Sequence, residues 1–280
     1  MNHPQVAAFA RLAEENAVPT RVIEGVASRL GRTMHDVMFD AIHDELVVTS
    51  PFAQAIMTFR GDADGEEAPL RIIQGPNTQI VSERGLDKVT IDPVNNEILI
   101  ATNHGDDRDP LGAILVFPRE ADGDVAPIRI LSGPATQFGG GRPSMRVDNK
   151  NDLLLVAESG GILIFDRTAS GNTPPVGWIP GPSGNQFDVY NDLIITLRGD
   201  YLYAWDIHTR GEGVRPVWKI STPLGARANQ TGLVLDPVHE EVIVATGAGN
   251  QIRVFHVPEI FAERSEAPRA STPIRFSAEE

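Results

Sequence analysis

The stretch AILVFPREADGDVAPIRILSGPATQ at residues 113–137 contains an apolar segment that ends in an aromatic residue. A polar turn follows, and then a second apolar segment that is preceded by a proline. The aromatic landmark recurs along the chain at Phe9, Phe59, Phe117, Phe165, Trp205 and Phe255. The proline follows each ring in the same order, at Pro19, Pro69, Pro127, Pro175, Pro216 and Pro273. Short apolar segments joined by polar turns predict antiparallel β-hairpins, with the proline leading into an edge strand.

A third landmark precedes each of the last five rings and is clear in GLDKVTIDPVNNEILIAT at residues 85–102. An apolar segment ends in Asp, and a second acidic or amide residue follows four positions later. The pairs are Asp40/Asp44, Asp92/Asn96, Asp148/Asp152, Asp188/Asp192 and Asp236/Glu240. An Asp at this spacing bridges a tight turn by accepting backbone N–H groups, so these carboxylates are predicted to be structural.

Together the landmarks predict four short strands per repeat, named a to d from the inside outwards. Four strands in a repeat of about fifty residues are typical of a β-propeller blade, so we expect an all-β propeller of antiparallel blades. The predicted division is a single domain over residues 1–280, made of an N-terminal half blade and five repeats. Its bounds are 1–32 (strands c and d only), 33–80, 81–138, 139–185, 186–230 and 231–280.

The segment VAAFARLAEENA at residues 6–17 is rich in helix formers. Eight identities with the stretch around Phe117, all at one offset, outweigh that propensity and predict strands c and d instead. The landmarks then give six c and d strands but only five a and b strands. We favour a six-position ring with an incomplete closing blade. A five-bladed ring and a fragment of a longer product are the alternatives.

The segments at 113–137 and 85–102 together resemble NHL-type repeats and, more broadly, the six-bladed propellers of the NHL and gluconolactonase-like superfamily. This resemblance implies a propeller fold across nearly the whole chain. It leaves the activity open, because such propellers include hydrolases, lyases, sensors and binding scaffolds. The enzymes of the group hold a metal with Glu, Asn and Asp side chains at the channel mouth, and no set of residues here matches that pattern.

The composition narrows the range of partners. The 280 residues include 24 basic and 38 acidic side chains, which gives a net charge of −14, and no cysteine. Such acidity argues against nucleic acid and anionic membranes as partners, and the missing thiols exclude disulfides and thiolate zinc sites. No signal peptide is visible, so the expected location is cytoplasmic by default, with an exported form left open.

A ligand site is expected where the d-to-a and b-to-c connections meet over the channel. The candidate ligand-binding residues are His35, Asp36, Lys88, Arg142, Arg146, Gln186, Arg198, Asn229 and Gln230. Strand a faces the channel with the series Met38, Thr90, Arg146, Gln186 and Val234, in which Arg146 and Gln186 either satisfy each other or water, or hold an anionic ligand.

The loop NHGDDRDP at residues 103–110 is the densest cluster of oxygen ligands. Carboxylate and amide oxygens suit Ca²⁺ or another divalent cation. The candidate metal ligands are Asn103, His104, Asp106, Asp107 and Glu158. The loop lacks the residue order of a dedicated calcium loop, so a solvated turn is the competing interpretation.

Two functions follow. The leading hypothesis is a non-catalytic propeller scaffold that binds a protein or a small-molecule ligand across its loop face. The alternative is a metal-dependent hydrolase, such as a lactonase, or a lyase with its site at the channel mouth.

Overall fold

The computed structural model describes residues 4–32, 34–81, 88–103, 112–139, 143–181, 186–222, 230–246 and 251–262. Within these residues the chain is an all-β propeller of antiparallel sheets, as the repeat predicts. It has five blades, the number given as the alternative, and a separate two-stranded sheet at the N-terminus. We call that sheet the half blade and number the blades 1 to 5 in chain order.

The strands follow the predicted order a to d from the axis outwards. The half blade contains β1 (Gln5–Ala8) and β2 (Arg21–Glu24). Blade 1 contains β3 (Val37–Asp40), β4 (Glu45–Ser50), β5 (Ala55–Arg60) and β6 (Arg71–Gln74). Blade 2 contains β7 (Val89–Asp92), β8 (Glu97–Asn103), β9 (Gly112–Pro118) and β10 (Arg129–Ser132).

Blade 3 contains β11 (Met145–Asp148), β12 (Leu153–Glu158), β13 (Gly161–Asp166) and β14 (Gly177–Pro180). Blade 4 contains β15 (Phe187–Tyr190), β16 (Leu193–Arg198), β17 (Tyr201–Asp206) and β18 (Trp218–Ser221). Blade 5 has three described strands, β19 (Gln230–Asp236), β20 (Glu241–Thr246) and β21 (Gln251–His256). The fourth strand expected behind Pro273 lies outside the described residues. The recurring proline stands two residues before each described d strand and not at the first residue of that strand.

The aromatic landmark occupies one equivalent position in every blade. The ring pairs across strands b and c as Leu46↔Phe59, Ile98↔Phe117, Leu154↔Phe165, Ile194↔Trp205 and Val242↔Phe255. In the first four blades the ring is buried between its own blade and the preceding sheet. This shared register confirms that the repeat is a structural unit.

The turn between strands a and b confirms the structural role of most of the repeated Asp residues. Asp40 accepts the backbone N–H groups of Ile42 and His43 at 2.9 and 3.0 Å. Asp92, Asp148 and Asp236 accept equivalent N–H groups. The residue four positions later takes a left-handed backbone conformation, for example with φ of 52° at Asp44, which acidic and amide side chains tolerate better than most.

Blade 4 departs from this pattern. Its a and b strands are joined by a two-residue turn, because Tyr190 pairs directly with Leu193. Both turn residues, Asn191 and Asp192, have positive φ, as a tight hairpin turn requires. Asp188 is therefore not the turn residue that the sequence pattern predicts. It lies inside β15, two residues before the strand ends.

The half blade and blades 1 to 3 are joined in series on their outer rim by a glycine in the c-to-d connections of blades 1, 2 and 3. Gly65, Gly123 and Gly171 form one-residue parallel bridges to Ile23, Ile73 and Leu131 of the preceding sheet. Each of these glycines has a φ between 62° and 77°, a conformation that favours glycine. The N–H of Gly123, for example, donates to the carbonyl of Ile72 at 2.7 Å.

A second joint lies at the end of the ring that carries the a-to-b and c-to-d connections, which we call the turn face. Glu45 is the first residue of strand b in blade 1. Its carboxylate forms ion pairs with the guanidinium groups of Arg71 in its own blade, at 2.6 Å, and of Arg119 in blade 2, at 2.8 Å. In blade 2 the same place is taken by Glu97, which is bound by Arg129 at 2.5 Å and by Arg167 of blade 3 at 3.4 Å. Each glutamate thus ties its own d strand to the next blade.

The half blade lies between blade 5 and blade 1 and uses the same joints. Arg11 binds Glu241 of blade 5 at 2.6 Å, and Asp64 of blade 1 accepts the N–H of Val22 at 2.9 Å. Val6, Ile23 and Leu30 pack against apolar side chains of blade 1. The N-terminal segment is therefore strands c and d, as the alignment predicts.

A short helix, α1 (Pro258–Phe261), follows blade 5. Ile260 and Phe261 are buried in the apolar cluster that blades 4 and 5 share. The ring centroids of Phe261 and Tyr190 are 5.2 Å apart. The helix lies between Phe255 and Pro273, which are 18 residues apart, whereas the ring and the proline are 10 residues apart in the first four copies.

Candidate functional site

The opposite end of the ring carries the d-to-a and b-to-c connections, and we call it the loop face. Of the candidate ligand residues, His35, Asp36, Lys88, Arg146, Gln186 and Arg198 are described. Arg142 and Asn229 lie outside the described residues, and Gln230 is described only as backbone in β19. Asn103 and Glu158 of the metal set are described, whereas His104, Asp106 and Asp107 are not.

Asp36 stands at the loop-face end of the inner strand of blade 1. Its carboxylate accepts the N–H of Val89 in blade 2 at 3.1 Å and lies 4.0 Å from the ammonium of Lys88. Burial raises the pKa of Asp36 above its usual 3.8, and the opposing effects of Lys88 and Val89 do not cancel that rise. The carboxylate joins two inner strands at some electrostatic cost.

Arg146 points from β11 into the channel and is held by three blades. Its Nε donates to Asp188 of blade 4 at 3.1 Å, and its Nη2 reaches the carbonyl of Leu233 in blade 5 at 3.5 Å. Asp188 in turn accepts the N–H of Leu235 at 3.0 Å. The pair therefore links blades 3, 4 and 5 around the axis.

This pairing corrects the channel series derived from the sequence. Asp188 pairs with Ile195 at the same register as Arg146 with Leu155, so Asp188 is the channel residue of blade 4. Gln186 precedes β15 and corresponds to Asp36 instead. The a-to-b turn of blade 4 is two residues shorter than that of blade 3. An alignment of the repeats on this turn therefore assigned Gln186 to the channel in place of Asp188. The partner of Arg146 is thus the carboxylate of Asp188, a residue that the sequence pattern assigned to a turn.

Glu158 ends β12 at the loop face. Burial raises the pKa of its carboxyl above the usual 4.5, although the N–H groups of Gly139 and Ser159 act in the opposite direction. Its Oε1 is buried without a hydrogen-bond partner in the described part of the chain. Asn103 ends β8 on the neighbouring blade and is buried. The predicted cation site stays a prediction, because its other three ligands lie outside the described residues.

One group of side chains on the turn face has the composition of a metal site. Asp236, His239 and Glu241 place ligand atoms within 4.8 Å of one another. His239 Nδ1 lies 2.7 Å from Asp236, and in blade 1 His43 makes the same contact with Asp40 at 2.8 Å. Asn95 and Asn151 take the place of these histidines in blades 2 and 3. The group is therefore the repeated a-to-b turn, whose geometry does not depend on a metal ligand.

Among the described helices none is long and apolar enough to cross a membrane. No protein-family model and no curated protein matches the sequence.

Comparison with solved structures finds propellers of low sequence identity. A functionally unknown protein from Desulfotomaculum acetoxidans matches with a TM-score of 0.55 and 14% identity, over 88% of this chain and 74% of that one. The β-propeller domain of Cps50 (Swd1) from Myceliophteria thermophila matches with a TM-score of 0.50 and 10% identity, over 86% of each chain. At such identities the likeness is one of fold alone, and the chain is a β-propeller.

Proposed function

We propose that the chain is a non-catalytic propeller scaffold that binds a protein or small-molecule ligand across its loop face. The observation that carries this proposal is that the described charged groups near the axis bind one another and the inner strands. Arg146 and Asp188 bind each other and the inner strands, and Asp36 binds the inner strand of blade 2. These groups hold the scaffold together, whereas a catalytic centre needs groups directed at a substrate.

The loop face supports the proposal because its side chains differ from blade to blade. The described ends of the b strands carry Ser50, Asn103, Glu158, Arg198 and Thr246. Non-repeating side chains on a repeating frame are what a specific binding surface requires. The resemblance to NHL-type propellers, which include binding scaffolds, supports the same assignment.

Site-specific photo-crosslinking in cells of the source organism tests the proposal. A photoreactive amino acid at position 198, which is exposed on the loop face, is expected to give a discrete adduct. The matched control is position 238, which is exposed in the a-to-b turn of blade 5 on the opposite face. Equal adduct patterns from both positions, or none from position 198, contradict a loop-face site.

The alternative, a metal-dependent hydrolase or lyase, rests on one observation. Glu158 combines a raised pKa with an oxygen buried without a partner in the described residues, at the face where the channel opens. A divalent cation would supply the missing partner and favour the ionised carboxylate. About one ion per chain by elemental analysis, lost in Glu158→Gln, would establish this alternative over the scaffold.

A further inference from the structure

The half blade lies between blades 5 and 1, and in the described part of the chain it supplies only strands c and d. Its contacts with its neighbours repeat those between complete blades: Arg11–Glu241 corresponds to Arg119–Glu45, and the Asp64–Val22 bond corresponds to the bond between Asp122 and Ile72. Its two strands therefore stand where the outer half of a blade belongs. Among the described residues β1 pairs only with β2, which leaves the inner edge of β1 without a strand.

Inside the half blade the facing surfaces of blades 1 and 5 are apolar and open. In blade 1, Val37 and Phe39 are 45% and 53% exposed, whereas their equivalents in blade 2, Val89 and Ile91, are 1% and 7% exposed.

In blade 5, Ile252 and Val254 are 61% and 43% exposed, against 1% and 3% for Leu202 and Ala204 at the same positions of blade 4. We call the space bounded by Val37, Phe39, Ile252, Val254 and the free edge of β1 the notch.

The notch also has a cation placed to bind a specific group. Arg21 begins β2, as Arg71 begins β6 and Arg129 begins β10, and each of those two arginines binds the first glutamate of its own strand b. No described residue forms a strand b in the half blade, and Arg21 donates to the carbonyl of Gly61 at 2.7 Å. Arg21 therefore stands at the rim of the notch where the carboxylate of a strand b would lie.

The second half of this joint is missing from blade 1. Two residues after the aromatic ring, the half blade and blades 2 and 3 carry Arg11, Arg119 and Arg167, each of which binds the glutamate of the preceding sheet. The preceding sheets of blades 4 and 5 have leucine instead of glutamate at the first residue of strand b. Blade 1 has Gly61 two residues after its ring. A glutamate entering the notch would meet one arginine rather than two, which suits an exchangeable segment better than a permanent strand.

We propose that the notch binds a β-hairpin of a protein partner, which completes the sixth blade in trans. The hairpin adds its outer strand antiparallel to β1, so that main-chain hydrogen bonds supply part of the affinity. Both of its faces carry apolar, β-branched side chains, because both walls of the notch are apolar. A glutamate at the first residue of its outer strand binds Arg21. This surface is distinct from the loop face, and the inference goes beyond the proposed function.

The chain contains its own probe for this site. The stretch DKVTIDPVNNEILIAT at residues 87–102 contains the a-to-b hairpin of blade 2, which begins at Val89, and carries Glu97 at the required position. Fluorescence anisotropy of this labelled peptide with the full chain is expected to show saturable binding of one peptide per chain. The Glu97→Gln peptide is expected to bind about 10-fold more weakly, because it loses a charge-assisted bond.

Variants of the chain locate the peptide. Phe39→Asp and Ile252→Asp each place a charge on one wall and are expected to abolish binding, and the partial exposure of both side chains favours retention of the fold. Val238→Asp, a change at an 84% exposed residue outside the notch, is the matched control and should bind like the parent. In Arg21→Ala the glutamate and glutamine peptides should bind equally, which a merely unstable variant would not produce.

Two results would overturn the proposal. One is the lack of saturable binding up to about 1 mM peptide, a concentration that detects even weak association. The other is self-association of the chain, measured by light scattering, that Phe39→Asp abolishes, because a second copy would then cover the notch. Crosslinking from position 198 is independent of the notch, so failure here leaves the loop-face proposal standing.

Discussion

The joint between blades 1 and 2 and the joint between blade 5 and the half blade use the same chemistry with different completeness. In the first joint, Glu45 is bound by two arginines and the ring of Phe117 is fully buried. In the second, Arg11 is the arginine that binds Glu241 among the described residues, which leave out strand d of blade 5, and Phe9, the equivalent of Phe117, is 44% exposed. The polar and rim contacts therefore persist without the inner strands, whereas burial of the aromatic ring depends on them.

The largest effect that separates the two joints is expected from the aromatic rings. Phe117→Ala removes a fully buried ring and should lower the free energy of unfolding by about 3–5 kcal/mol. Phe9→Ala removes a ring that keeps much of its contact with water and should cost less than about 1.5 kcal/mol. Urea denaturation of both variants measures the difference, and equal losses would mean that the half blade is packed like a complete blade.

A smaller difference is expected from the glutamates. Glu45→Gln leaves Arg71 and Arg119, both largely buried, without their carboxylate and should cost about 2 kcal/mol. Glu241→Gln affects Arg11, whose side chain is 37% exposed, and should cost less than about 1 kcal/mol. The same denaturation experiment at neutral pH gives both values, and the reverse order would refute the two-arginine joint as the stronger one.

The smallest expected effect concerns how the stability of the fold depends on pH. Burial would raise the pKa of Glu45, but hydrogen bonds from Arg71 and Arg119 prevail and hold it below the usual 4.5. Its contribution to stability is therefore complete above pH 4.5 and is lost as the pH falls through the lower folded value. Melting temperatures measured across this range should fall less steeply in Glu45→Gln than in the parent, with Glu241→Gln as the control that keeps Glu45.

The sequence predicted the fold because the landmarks that define a blade are local and repeat in order. Phe59, Phe117, Phe165 and Trp205 needed only to be aligned to be placed in one register. The Asp-centred turn was predicted for the same reason, since its hydrogen bonds join residues two or three apart.

The channel and the turn-face joint were less accessible, because their partners come from different repeats. Asp188 was misplaced since a turn shortened by two residues in blade 4 keeps an Asp at the expected spacing. The glutamate joint had a visible signal that was missed: an arginine stands two residues after the ring at Arg11, Arg119 and Arg167. Its meaning depends on a glutamate of the preceding repeat, which no spacing within one repeat reveals.

The glycine bridges on the rim bear on how such a chain can change over evolution. Each bridge is formed by the c-to-d connection of one repeat and the outer strand of the repeat before it, as with Gly123 and Ile73. The coupling element is thus encoded within the same stretch of gene as the blade that it attaches. An in-frame duplication or deletion of one repeat adds or removes the connecting glycine together with its blade. The number of blades can therefore change while the contacts between the remaining blades stay the same.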